Sequence, residues 1–353
     1  AIICKNTEEW AVSAYATYGL SGQHIPMYET QIAKEWEYII RDCGAKVLLA
    51  ANRTVFDQTR NFTEQIETLE HVVLVTGSAD GDVTTYEDLL KTGRENPVEV
   101  QQPESQSPMG MIYTSGTTGN PKGVILSHSN LIFECSIVIP LLGMTKDVRT
   151  LAFLPWAHVF GQVAEVHGII GCGGSAGLVD DVNTLIEELG VVKPSVFFAV
   201  PRVYNRIYDR LREQMKEKPG FIRALFYGGL KQARREREGE TLGFMDNLIL
   251  TLARKIIFKK ILNRFGGNLR IAVSGASALS PAVAEFVNDI GISIYEGYGL
   301  SENTAALSLN YPGVRRFGSV GKPLPGVRIE IDKTVEGSKE EDGEVLAYGE
   351  NIM

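Results

Sequence analysis

The sequence predicts an α/β protein of layered, mostly parallel sheets flanked by helices, with a small β-rich subdomain at its C-terminal end. Short apolar runs bounded by turn residues recur along the chain, and they are too short for helices. Helical patterns stand between them, the alternation that builds a covered parallel sheet. After Phe317 the character changes to Gly, Pro and period-two alternation. At 353 residues with 44% hydrophobic side chains, the chain can bury a sizeable core and has the length of about two or three domains at ~100–200 residues each.

Taken in order, Ala1-Ile-Ile-Cys4 is an apolar run suited to a buried strand, so the start reads as a cut through a domain. Lys46–Ala50 and His71–Val75 are the next strand candidates. A polar stretch from Glu95 to Pro108 precedes Met109–Tyr113, a short strand feeding a Gly/Thr-rich loop, and Ser127–Leu142 reads as a helix with Ser127 or Ser129 as N-cap. Leu151–Leu154, Val196–Val200, Arg270–Ser274 and Ile292–Tyr295 are further strands, each ending at a turn where open α/β sheets place their chemistry. Tyr204–Phe265 is long and helix-rich, with Lys231–Glu238 as a solvated charged run. The tail pairs Gly326–Ile331 with Gly343–Ala347, and its pattern runs on to Met353, so that end also reads as truncated. These changes divide the chain into 1–190, 191–316 and 317–353.

With 35 basic and 43 acidic side chains the formal charge is -8, which argues against nucleic acid as a partner. Cys4, Cys43, Cys135 and Cys172 form no CxxC pair, which disfavours a zinc site or a disulfide framework and suits a reducing, cytoplasmic compartment. No apolar run approaches the ~20 residues of a membrane-spanning helix. Leu248–Phe265 sets Leu252, Ile256, Ile257 and Leu262 beside Arg254, Lys255, Lys259, Lys260 and Arg264. Two readings stay open for it: peripheral contact with an anionic membrane, or an ordinary helix with its apolar face in the core.

The densest chemical signal is Thr114-Ser115-Gly116-Thr117-Thr118-Gly119-Asn120-Pro121-Lys122-Gly123. Successive small residues let backbone N–H groups approach an anion, hydroxyls donate hydrogen bonds, and Lys122 adds a mobile positive charge; a triphosphate needs all three. The spacing is not a Walker A loop, because Pro121 stands where its second glycine would be. Ser115 and Ser277 lack the flanking glycines of a nucleophile elbow. Gly171–Ala176 fits a dinucleotide fingerprint only formally, has no acidic residue about 20 positions on, and reads as a turn.

The run Tyr113–Val124, YTSGTTGNPKGV, closely resembles the phosphate loop of the adenylate-forming superfamily: acyl-CoA synthetases, nonribosomal-peptide adenylation domains and beetle luciferases. Gly275-Ala-Ser-Ala-Leu-Ser-Pro281 is similar to the adenine-side segment of that superfamily. Tyr295–Glu302 resembles its YGxTE motif, with Ser301 in place of Thr, and Gly318–Pro323 and Gly343–Leu346 are similar to segments leading to its hinge. Within it, Val200–Ile207, Ile25–Thr30 and the long helical insert look most like long-chain fatty acyl-CoA synthetases.

The resemblance implies two steps. A carboxylate attacks the α-phosphate of ATP to give acyl adenylate and pyrophosphate, and the thiol of coenzyme A then displaces AMP. By the same resemblance, Thr114, Ser115, Gly116, Thr117, Thr118, Gly119 and Lys122 hold the phosphates. Gly275, Ala276, Ser277, Glu296, Gly297, Tyr298 and Gly299 border the adenine side, and Ser301 keeps a hydroxyl near the α-phosphate. Glu302 and the Thr114 hydroxyl are the Mg²⁺ ligands, a sparse set that suits a cation sharing its remaining positions with water and phosphate. His158 falls at the mouth of an acyl pocket, and with Thr114, Lys122 and Glu302 it completes the catalytic set. Two readings stay open for Trp156 and Phe160: the border of a fatty-acid tunnel, or ordinary core aromatics. The superfamily's ribose-binding Asp, hinge and lid lysine have no counterpart in these residues, so the chain reads as a large adenylation domain without its lid. A fatty acyl-AMP ligase, another carboxylate-adenylating domain, and a non-catalytic nucleotide- or acyl-binding module remain open alternatives.

Overall fold

The computed structural model describes the chain except for residues 79–80, 82, 116–118, 180, 336–338 and 340–341. β1 (Ile2–Ile3), β2 (Pro26–Met27), β3 (Val47–Ala50) and β4 (His71–Leu74) form a parallel sheet in the order β2-β1-β3-β4. The opening apolar run is therefore an interior strand, and Ile2 and Ile3 are wholly buried.

β5 (Pro108–Thr114) and β6 (Lys122–Ser127) pair antiparallel, with Tyr113 opposite Gly123 and Thr114 opposite Lys122. No strand was expected between the glycine-rich loop and the helix at Ser127, and β6 fills that interval. The physical reason is local: Val124 and Leu126 point into the core while Ile125 is exposed, a period-two pattern only a few residues long. The helix then runs over His128–Leu141, with Ser127 as N-cap in a reciprocal box with Asn130. The strand and the helix share their boundary residue.

β7 (Arg149–Ala152) and β8 (Ser175–Leu178) form a parallel pair. β9 (Val196–Ala199), β10 (Ile271–Ser274) and β11 (Ser293–Tyr298) are parallel neighbours, and β12 (Ser308–Leu309) and β13 (Lys322–Pro323) extend that sheet antiparallel beyond β11. All four β9 residues are buried, as a strand covered on both faces requires. β14 (Arg328–Asp332) and β15 (Glu344–Tyr348) make the antiparallel hairpin of the tail.

Between β9 and β10 lie the helices Pro201–Lys216, Gly220–Arg237 and Phe244–Ala253, the last continued by a π-helical turn at Arg254–Phe258 and by Lys259–Arg264. Pro201 at the first helical position costs no hydrogen bond. The run Lys231–Glu238 is less solvated than its composition suggests. Gln232 and Ala233 are buried, and Arg237 reaches Asp289 at 3.0 Å with its guanidinium over Phe317. One hydrophobic core joins Leu151, Leu189, Phe197, Phe226, Phe258 and Ile294. Another gathers Trp10, Leu126, Trp156 and Val159.

Candidate active site

Thr114 and Lys122 face each other at the neck of the β5–β6 hairpin, so the phosphate-loop sequence is the tip of a strand pair. Gly116, Thr117 and Thr118 lie outside the described residues. Gly119 has φ +138°, a conformation that a residue with a Cβ rarely adopts. The hairpin is tied down by the Tyr113 hydroxyl, which donates to Asp42 at 2.6 Å. Burial and that carboxylate push the Tyr113 phenol well up from its ordinary value, so it stays a donor at neutral pH. Lys122 and Ser115 are exposed and Thr114 is half-buried.

Glu302 sits in a 3₁₀ turn, Ser301–Asn303, that packs against β6. Neighbouring side chains fix the turn: Asn303 Oδ1 accepts from Leu300 N–H at 3.0 Å, and the Thr304 hydroxyl donates to Asn351 O at 2.8 Å. The Asn351 amide donates to Asn303 O at 3.2 Å and Ala306 O at 2.8 Å, and Met353 N–H donates to Glu302 O at 3.0 Å. Asn130, from the helix after the hairpin, donates to Glu350 O and Ile352 O. Thr304 and Ala305 hold φ of 59° and 94°, strained values for residues with a Cβ and of a kind that gathers at functional sites. Among the described residues no side chain pairs with the Glu302 carboxylate, which stands exposed. A free carboxylate with the Thr114 hydroxyl fits the sparse protein ligation that Mg²⁺ accepts.

The other expected residues divide between two places. His158, Gly275, Ala276, Gly297, Gly299 and Ser301 border one cavity of about 180 Å³, whose remaining wall is mostly apolar and includes Val138, Leu142, Phe160 and Phe198. Glu296, by contrast, turns away from it: its carboxylate accepts from Leu279 N–H at 3.0 Å and so braces the segment that follows Gly275. Burial raises its pKa. Ser277 is exposed and Tyr298 half-buried. Of the two aromatics left open between tunnel border and core, Trp156 is a core residue packed against Trp10 with ring centres 5.3 Å apart, whereas Phe160 lines the cavity. His158 caps the turn that follows it, Nδ1 accepting from Phe160 N–H at 3.2 Å, and desolvation lowers its pKa from the ordinary 6.5. It is thus a neutral ring near pH 7.

Sequence reasoning missed two buried carboxyls. Glu134 lines the cavity with Oε2 unpaired, and Glu165 accepts from Phe153 N–H, Leu154 N–H and Trp156 Nε1–H at 3.3–3.4 Å, holding the strand end that leads to His158. Burial raises both pKa values well above the usual carboxylate range. No local pattern marks either residue as buried.

Comparison with known proteins agrees with the geometry. The profile of the AMP-binding enzyme family matches residues 1–353. Long chain acyl-CoA synthetase 7, peroxisomal, of Arabidopsis thaliana is 30% identical over 98% of this chain and 50% of its own length. Long-chain-fatty-acid–CoA ligase FadD15 of Mycobacterium tuberculosis is 29% identical over 97% of this chain and 56% of its own. The chain thus spans about half the length of the curated relatives it matches. Among solved structures, the anthranilate CoA ligase AuaEII in complex with anthranoyl-AMP superposes with a TM-score of 0.75 at 22% identity, covering 100% of this chain and 60% of that one. The long-chain-fatty-acid-CoA ligase FadD1 of Archaeoglobus fulgidus gives 0.72 at 19%, covering 99% and 63%. The fold is that of the adenylate-forming enzymes, and the chain belongs to the AMP-binding enzyme family.

Proposed function

We propose that this chain is the large domain of a long-chain fatty acid–CoA ligase, which activates a fatty acid with ATP and passes the acyl group to coenzyme A. One observation carries the reading: the apolar cavity bordered by His158, Gly275 and Ser301 opens at the strand ends where the Glu302 turn packs against the strand that begins at Lys122. An acid held in that cavity would present its carboxylate toward the nucleotide. The reaction brings an anion against a polyanion, so the protein's contribution is positioning and charge neutralisation. Lys122 and the hydroxyls of Thr114 and Ser115 would hold the phosphates, with Gly116, Thr117, Thr118 and Gly119 completing the loop. Glu302 and Thr114 would hold Mg²⁺, which supplies neutralisation of phosphate charge. Gly275, Ala276, Ser277, Gly297, Tyr298 and Gly299 would border the adenine and Glu296 would brace that wall, while Ser301 faces the α-phosphate and His158 the acid.

The division into 1–190, 191–316 and 317–353 belongs to the same proposal. The relatives named as long-chain enzymes support a fatty acid as substrate. Among the described residues no helix is long and apolar enough to cross a membrane, and free cysteines at four separate positions support a cytoplasmic setting.

ATP–pyrophosphate exchange across a panel of acids tests the substrate. Exchange with palmitate and stearate above benzoate and malonate is the expected order, and the reverse order would replace the fatty acid. Lys122→Ala should weaken Mg²⁺-ATP binding about ten- to a hundredfold, the range of a charge-assisted hydrogen bond, and leave fatty-acid binding unchanged. Equal loss of both in calorimetric titrations would mean that the hairpin serves the fold.

A further inference from the structure

From Phe244 to Arg264 the chain runs as one continuous helical path through the π-helical turn. Its inner face is fully used: Leu250, Ala253, Ile257, Phe258 and Ile261 are buried in the core that holds Phe226 and Phe197. The two sequence readings of this segment, core helix or membrane-facing helix, therefore divide between its faces. Ile257 goes to the core, while Leu252 and Ile256 stay outside at 38% and 39% exposure.

They do not stand alone. Met245, at 62%, and Leu248, at 42%, precede them at spacings of three, four and four residues, which puts the four side chains in one stripe along the helix. Phe244 adds a ring that is 83% exposed. Such a contiguous apolar stripe, unlike singly scattered surface residues, marks an interaction surface.

The charges beside the stripe are of one sign. Lys255 and Lys259 continue it at helical spacing and Lys260 adjoins it; all three are exposed, and among the described residues none has an ion-pair partner. The nearby acidic groups are already engaged: Asp246 pairs with Arg235 at 2.8 Å, and Glu236 with Arg254. A chain of formal charge -8 thus carries an uncompensated basic cluster beside its exposed apolar stripe.

We propose that this face of the Phe244–Arg264 segment lies on an anionic lipid bilayer, with Met245, Leu248, Leu252 and Ile256 in the headgroup boundary and Lys255, Lys259 and Lys260 on acidic headgroups. Apolar burial and lysine–headgroup attraction are the two contributions that hold such a helix in the interface plane. The inference is independent of the acid-activation chemistry, since it uses none of the residues at the cavity or hairpin.

Flotation of the chain with vesicles tests it, with phosphatidylcholine alone compared with phosphatidylcholine mixed with phosphatidylserine. Native protein should float with the anionic vesicles and dissociate as salt rises. Replacing Lys255, Lys259 and Lys260 together by Ala should weaken binding about a hundredfold. The pair Leu252→Glu and Ile256→Glu should abolish it at any salt. These side chains are exposed, so unchanged thermal melts will show that the variants fold. Absence of native binding to anionic vesicles, or native-like flotation of the Glu pair, would overturn the proposal. So would a dimer in light scattering that the Glu pair converts to monomer, because the stripe would then be covered by a second copy.

Discussion

Gly299 stands just before the Glu302 turn with no room for a side chain. An added Cβ would fall 1.9 Å from the Ala305 carbonyl oxygen and 2.8 Å from the Ala306 Cα, and both are backbone atoms that cannot swing aside. Gly299→Ala should therefore displace the turn, lower the melting temperature and remove the thermal stabilisation given by Mg²⁺-ATP. A variant that still gains stability from the nucleotide would show that the turn accommodates it. Chemistry of this kind is legible in a sequence because a phosphate loop or a backbone contact dictates residue identity. Glu134 and Glu165 were not legible. A carboxyl on a helix is ordinarily solvated, and only other segments decide that these two are buried: Phe153–Trp156 closes over Glu165, and Glu134 shares its cavity with Gly297, Gly299 and Ala306.

At the scale of elements, the segment that follows the Glu302 turn is tied back to it by a side chain far along the chain. Asn351 is wholly buried and its amide bridges two carbonyls, those of Asn303 and Ala306. Asn351→Ala leaves both acceptors without that donor, at ~1–3 kcal/mol for each buried group left unpaired. The melting temperature should fall by several degrees, and Mg²⁺-ATP should bind more weakly while fatty-acid binding changes less. Unaltered nucleotide affinity in that variant would separate the latch from the site. Strands built on short, largely apolar runs, β3, β4, β9, β10 and the start of β11, were readable in advance. β6 was hidden because its pattern begins at Lys122-Gly123, inside what reads as loop, and β12 and β13 are too short to carry a period.

Across the whole molecule, charge burial gives the fold a pH dependence. Tyr18 is ringed by His24, His128 and His167, with ring centres 5.5–6.3 Å away, and Tyr15 hydrogen-bonds His167 Nδ1 at 3.0 Å. Burial, with His128 nearby, lowers His167 to about 4, and burial also takes His24 well below 6.5. The imidazoles are neutral in the fold and take up protons in the unfolded chain. The stabilising contribution of His167 is therefore complete above pH 6.5 and is lost as the pH falls toward about 4, with a slope of ~1.4 kcal/mol per pH unit, and His24 acts in the same direction. Replacing His167 by Gln should flatten that slope in urea titrations at stepped pH, and an unchanged slope would assign the acid sensitivity elsewhere. The architecture was legible at this scale because alternation of strand and helix leaves few ways to build a covered sheet. The clustering of three histidines from distant segments was not, since no local pattern announces it.

The sheet β2-β1-β3-β4 has a consequence in time. All its strands come from residues 2–74, so its pairings close over short stretches of chain. The core beneath β9–β11, by contrast, joins Leu151 to Ile294 and needs the whole intervening length. During synthesis at roughly 5–20 residues per second, the first sheet becomes formable many seconds before that larger core can seal. Until then β9 and the helix Pro201–Lys216 can rest on each other and on Phe153 but lack the cover that β10, β11 and the helix Pro281–Asp289 supply, which makes that interval the one in which a nascent chain most needs a chaperone.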